Sequence, residues 1–373
     1  MKEDTRSIFF QLLRSGLWGN EARLEQYHDV DMGTVLQLAA EQSVVGLVAA
    51  GLENVTDMKV PQAGVLPFIS QMLQIEQRNM AMNAFVAELI EKLRKADVYA
   101  LLVKGQGIAQ CYERPLWRSS GDVDLLLSDR NYQKAKAILV PLASDVETEY
   151  THFKHFGMTI DGWVVELHGT LHSRLSARVD RVVDEVQWDV FYGGKVRSWM
   201  NGNIQVFLPA PDEDVMFVFT HILHHFFLEG IGLRQICDWC RLLYTYKDTV
   251  NVSLLEARLR KAGLMSEWKA FAAFAVGYLG MPVEAMPLFD ADADLNSNKK
   301  KADRICKFVL EVGNFGQNTR RNYQSQSYVI RKFKSFWGRL SDILRHFKIF
   351  PLDSIRFFGG VLRSGMHAAV RGE

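Results

Sequence analysis

The stretch LLVKGQGIAQCYERPLWRSSGDVDLLL, residues 101–127, decides how this chain is read. An apolar run over residues 98–103 stops at Lys104-Gly105, the pattern of a buried strand followed by a tight turn, with Gly105 letting the backbone approach a ligand closely. A short helix is expected next. Beyond a loop carrying Arg114, Pro115 and Arg118, a second apolar run alternates Asp122 and Asp124 with Val123 and Leu125. Side chains on a strand repeat every two residues, so both carboxylates point to one face while Val123, Leu125 and Leu127 point to the other. Two acids side by side repel each other. Burying both without a cation costs several kcal/mol or forces one to stay protonated, so a divalent metal is the simplest reason to fix them there.

A third carboxylate follows from a hairpin. Residues 149–160 and 163–168 are two β-rich segments separated only by Asp161-Gly162, a dipeptide that favours the type I′ turn of a two-residue connection. On the second segment Val164, Glu166 and His168 share one face, and Val165 and Leu167 the other. If the hairpin lies beside the Asp122 strand in one sheet, Glu166 reaches the same cation site; the short connections favour that adjacency, while the register stays open.

The order Lys104-Gly105, then Tyr112, Pro115 and Arg118, then Gly121-Asp122-Val123-Asp124, then Glu166-Leu167-His168 resembles the nucleotidyltransferases of the DNA polymerase β superfamily. Within it, the chain is most similar to a bacterial group of largely uncharacterised nucleotidyltransferase-like proteins. The resemblance is close over residues 98–168 and looser over residues 211–246, where Arg234 and Asp238 form an Arg-x-x-x-Asp pair.

The resemblance implies an α+β fold, a small mixed β-sheet core flanked by N-terminal and C-terminal helical regions. It makes Asp122 and Asp124 the metal-binding pair and Glu166 the third acid, all three catalytic. Lys104, Gly105, Arg118, Gly121 and His168 would bind the nucleotide, an NTP held with Mg²⁺ or Mn²⁺. A two-metal reaction would then pass a nucleoside monophosphate to an unidentified hydroxyl on a small molecule, an RNA or a protein. The chain departs from the superfamily at its turn, where a Gly-Ser or Gly-Gly pair is usual and Gln106 follows Gly105. A catalytically inactive nucleotide- or metal-binding module is the competing reading, and a membrane-surface scaffold acting through the basic C-terminal tail is a weaker third. Arg118 has an alternative as a structural partner of Asp122 or Asp124, and His168 as an ordinary core histidine.

Length and composition set the bounds. With 373 residues, 48% of them hydrophobic, the chain can build a large core and divide into several regions. A net charge of +1 gives no overall field for nucleic acid. Cys111, Cys237, Cys240 and Cys306 are too few and too scattered for a disulfide framework. The start, MKEDTRSIFF, lacks the basic and apolar blocks of a signal peptide, and a cytoplasmic protein is expected.

Four regions are expected: helices over 1–96, a nucleotidyltransferase core over 97–210, a helical domain over 211–289, and a linker with a basic amphipathic tail over 290–373. The clearest early helix spans 67–96, with Met82, Phe85, Val86, Leu89 and Leu93 at helical spacing, and should pack on the sheet. Pro211 and the acids after it suit a helix start; further helices are expected over 232–246, 253–262 and 265–279. The polar run DADADLNSNKKK, residues 290–301, reads as a solvated linker.

Weaker signals remain. His221, His224 and His225 share a helix face, but Ile222 stands where a zinc protease carries its glutamate. Cys237 and Cys240 fall inside a helix, and Arg234 with Asp238 reads as a one-turn ion pair. From residue 319 onward eleven Lys and Arg face three acids, with Phe333, Phe336, Trp337, Leu340, Ile343, Leu344 and Phe347 at helical spacing. Such a helix suits a membrane surface, an RNA or, more often, the protein's own core.

Overall fold

The two apolar runs around Lys104 become adjacent strands in the computed structural model, which describes residues 3–27, 31–149, 154–173, 175–228, 230–313, 346–352, 354 and 356. Strand β1 (Leu101–Val103) runs antiparallel to β2 (Asp122–Leu126), with Val103 opposite Asp124. Between them lie a short helix α5 (Gly105–Ala109) and a 3-10 turn at Pro115–Trp117. Asp161 and Gly162 both take positive φ, 50° and 80°, as a type I′ turn requires, and they close the hairpin of β4 (His155–Ile160) and β5 (Trp163–His168). Strand β5 then lies parallel to β2 and sets Glu166 directly beside Asp124.

The described sheet has seven strands in the order β3-β4-β5-β2-β1-β7-β6, with β3 (Asp145–Val146), β6 (Val196–Asn201) and β7 (Ile204–Pro209) completing it. It mixes parallel and antiparallel pairs, and helices flank it on both sides of the chain, so the fold is α+β as expected.

One face of the sheet is apolar. Val123, Leu125, Leu127, Val165 and Leu167 pack against Met82, Val86, Leu89 and Leu93 of α4 (Gln62–Lys95) and against Tyr132 and Leu139 of α6 (Asp129–Leu139). Burying each such side chain contributes about 1.5–3 kcal/mol, enough to hold α4 on the sheet. The helix starts at Gln62, five residues before the expected start, because Pro67 near its N-terminus removes a single ladder bond while Phe68 and Met72 are buried.

The opposite side faces a helical layer. Helices α1 (Glu3–Trp18), α2 (Met32–Glu41) and α3 (Val45–Glu53) join it from the N-terminal side. From beyond the core come α7 (Ala177–Tyr192), α8 (Pro211–Leu228), α9 (Leu233–Thr245), α10 (Val252–Ala262) and α11 (Met265–Leu279). Phe219, Trp239 and Trp268 form its aromatic centre, with ring centroids 4.9–5.4 Å apart.

The polar run at 290–301 is a helix, not a linker. It opens α12 (Ala291–Val312), where Asp290 caps the backbone N–H groups of Asp292 and Ala293 and further acids occupy the first turn. Acids there complement the helix dipole, while Asp294, Asn298, Ala302 and Ile305 turn inward at helical spacing. Most of the basic tail, including Phe333 to Leu344, lies outside the described residues. In the described part, Phe350 and His346 pack against Phe226 at 6.0 and 4.9 Å, covering the helical core. Among the described residues no helix is long and apolar enough to cross a membrane.

Candidate functional site

Strand β2 ends the apolar face and begins the polar one. Asp122, Asp124 and Glu166 project from neighbouring strands into a cleft of about 370 Å³, whose far wall is formed by α8 and α9. Their carboxylates can offer oxygens that lie within 4.8 Å of one another. The structure therefore brings the three acids together, and an oxygen-rich set of this kind is the donor chemistry of a hard divalent cation.

The turn before them is strained. Lys104 has φ 58° and ψ −146°, a region that side-chain-bearing residues rarely enter and that costs about 1–3 kcal/mol. Gly105 follows at φ 41°, and a Cβ on it would stand 3.5 Å from the Asp122 carbonyl. This geometry aims Lys104 Nζ at Asp124 Oδ1, 2.8 Å away. His168 Nε2 donates to the same oxygen at 2.8 Å and stands 3.4 Å from Glu166. Asp124, 2% exposed, is thus buried with two partners on one oxygen.

Charge tuning follows from these contacts. Burial favours loss of the Lys104 proton, but Asp124, Glu166 and Asp122 outweigh it and raise the ammonium pKa. Burial likewise opposes the His168 imidazolium, and its bonds to Asp124 and Glu166 reverse that and raise its pKa. Glu166 is held far below the usual carboxylate range despite burial, by hydrogen bonds from His155 and His168 and by Lys104. Asp122 moves the other way. The neighbouring Asp124 charge and then burial raise its pKa, with Lys104 only partly compensating.

Arg118 lines the cleft but is committed elsewhere. Its Nε and Nη2 donate to the two oxygens of Asp238 at 3.0 and 2.6 Å, its Nη1 donates to Ser120 at 3.0 Å, and Tyr112 adds its hydroxyl to Asp238 at 2.7 Å. Its partner is Asp238 on α9, rather than Asp122 or Asp124. The expected pairing of Asp238 with Arg234 gives way to this one. Arg234 faces the cleft, donating through Nη1 to the Ser119 carbonyl at 3.0 Å.

Gln106 turns away from the cleft. Its amide donates to Asn83 Oδ1 on α4 at 2.8 Å and accepts from Ser120 Oγ at 2.7 Å, so it ties the turn to the long helix. Gly121 stands exposed ahead of Asp122, outside the cleft lining.

Sequence reasoning missed His155. It lies across from His168 on β4, the two rings 4.9 Å apart, and donates to Glu166 Oε2 at 3.1 Å. The signal was present in the hairpin, because an Asp161-Gly162 turn pairs Ile160 with Trp163 and so carries His155 to His168. His155, Glu166 and His168 form a second group able to hold a metal ion.

On α8, His221 and His225 meet through their Nε2 atoms at 2.9 Å and His224 Nδ1 donates to the Ser173 carbonyl at 2.6 Å. All three line the cleft, yet they form no three-ligand metal group among the described residues. Cys237 and Cys240 are buried in α9, where burial pushes both thiols up and away from reactivity.

Comparison with known proteins gives one result. The sequence model of a family described as uncharacterised nucleotidyltransferase matches residues 28–280, which contain the cleft and both of its walls. No curated protein and no solved structure matches the chain.

Proposed function

The chain belongs to the family of uncharacterised nucleotidyltransferases, and from that premise we propose that the cleft binds an NTP with magnesium or manganese and transfers its nucleoside monophosphate to a hydroxyl acceptor, releasing pyrophosphate. The observation that carries this reading is the convergence of Asp122, Asp124 and Glu166 within 4.8 Å on adjacent parallel strands. These three carboxylates would hold the divalent ions. Bound there, the ions supply positive charge to the reacting phosphate and lower the pKa of the attacking hydroxyl.

The chain's own residues do the rest. His168 and His155 donate to Asp124 and Glu166 and so fix the direction in which the carboxylate oxygens face. Lys104 brings a fixed positive charge to the head of the cleft, and Gly105 leaves the backbone bare beside it. Pre-set dipoles and charges of this kind need not reorganise during reaction, which is where their catalytic value arises.

A thermal-unfolding panel with the four NTPs and Mg²⁺ or Mn²⁺ tests the reading. A nucleotide at 100 times its Kd should stabilise the fold by about 2.7 kcal/mol, and the shift should require metal. The Asp122→Ala, Asp124→Ala double variant should lose both the shift and pyrophosphate release. A wild-type protein that neither shifts with any NTP nor releases pyrophosphate would overturn the assignment.

A further inference from the structure

The chain leaves two opposite charges in the cleft without full compensation. Asp122 sits in the cleft with two further carboxylates, Asp124 and Glu166, and makes no side-chain hydrogen bond or ion pair among the described residues. Across from it, Arg234 carries five N–H donors, and among the described residues its one hydrogen bond goes to the Ser119 carbonyl. Its Nε is buried without a partner. The carboxylate one turn along the same helix, Asp238, already receives both forks of Arg118 and the Tyr112 hydroxyl. Burial and then the neighbouring Arg118 charge disfavour the Arg234 cation, and Asp238 and Asp122 offset them only in part. A half-buried guanidinium short of acceptors is costly unless an anion completes it. A lone cation would satisfy Asp122, and a lone anion would satisfy Arg234. A divalent cation chelated by a polyphosphate satisfies both at once.

We propose that Arg234 is the polyphosphate anchor of the cleft, its free guanidinium edge gripping phosphate oxygens of the metal-bound nucleotide while Arg118 and Asp238 hold α9 so that this edge stays unspent. The inference rests on the cleft being a nucleotidyltransferase site. It assigns Arg234, rather than Arg118, the direct contact with the triphosphate. Arg118 is a positioning residue whose fork is closed by Asp238.

Inorganic tripolyphosphate with Mg²⁺ is the probe, titrated calorimetrically into the full chain, with Mn²⁺ binding followed separately by electron paramagnetic resonance. Arg234→Gln should weaken tripolyphosphate roughly 10–100-fold, the range expected for losing a charge-assisted bidentate contact. Arg234→Lys should recover only part of the loss, because a point charge lacks the fork. Mn²⁺ binding should be unchanged in both, and the KM for NTP should rise more than kcat falls. Without ligand, Arg234→Gln should melt at or above the wild-type temperature, since it removes a poorly balanced charge; a merely structural arginine would lower it. Wild-type tripolyphosphate affinity in Arg234→Gln would overturn the inference. So would a wild-type protein that binds Mn²⁺ yet ignores Mg²⁺-tripolyphosphate. Failure of the wild type to bind Mn²⁺ at all would instead remove the metal-dependent reading beneath it.

Discussion

Asp238 on α9 and Asp122 on β2 are both aspartates lining one cleft, and the chain treats them in opposite ways. Asp238 is surrounded by donors from the chain itself, two from Arg118 and one from Tyr112, and is closed. Asp122 shares its face with another acid and has its pKa raised, by Asp124 first and by burial second. The difference separates two kinds of buried charge. A charge whose partners lie within the chain contributes to the architecture, whereas one left unbalanced is a place for something the chain does not encode.

This contrast can be broken by mutation, and the largest effect is expected at the closed end. Asp238→Ala should cost about 3–5 kcal/mol in urea unfolding, because it strands the Arg118 guanidinium and the Tyr112 hydroxyl in the interior. The Arg118→Met, Asp238→Leu pair should be markedly more stable than Asp238→Ala alone. A loss under about 1 kcal/mol for Asp238→Ala would mean that the knot is not structural.

A middle-sized effect is expected at Gln106, which bridges Asn83 and Ser120. Gln106→Ala should destabilise by about 1–2 kcal/mol, the usual cost of removing a buried hydrogen-bonding amide, and leave the KM for NTP unchanged. A raised KM with unaltered stability would place this side chain on the ligand instead.

The smallest effect should carry the opposite sign. The Asp122 pKa is raised on folding, so the native state binds its proton more tightly than the unfolded chain does. Stability from this group is then full below the ordinary Asp pKa and declines as pH rises through the folded value. Once ionised, the carboxylate is a burden. Asp122→Asn should accordingly raise the ligand-free melting temperature by about 1–3 °C while abolishing the metal-dependent shift. A lowered melting temperature would show that Asp122 is as well compensated as Asp238.

Much of the sheet half of the site was legible because strands have a strict two-residue period. Asp122 with Asp124, and Glu166 with His168, are each on one face by arithmetic, and Asp161-Gly162 fixes the hairpin that brings the second pair over. The helical wall was not legible in the same way. Arg118 and Asp238 are 120 residues apart, and a one-turn Arg234–Asp238 pair is the local solution that the sequence offers. Only the packing of α9 against the loop reveals that a distant arginine won. The polar run at 290–301 is ambiguous for another reason, since a capped helix N-terminus and a solvated linker are written with the same residues. Composition cannot separate them without the buried face of Ala302 and Ile305.

The single oxygen of Asp124 that accepts from both Lys104 and His168 bears on how an ion would enter the cleft. Both donors come from elements flanking β2, so the most deeply buried acid of the cleft has its countercharge from the chain itself. An ion reaching Asp124 would therefore exchange with a partner already in place rather than fill an empty position.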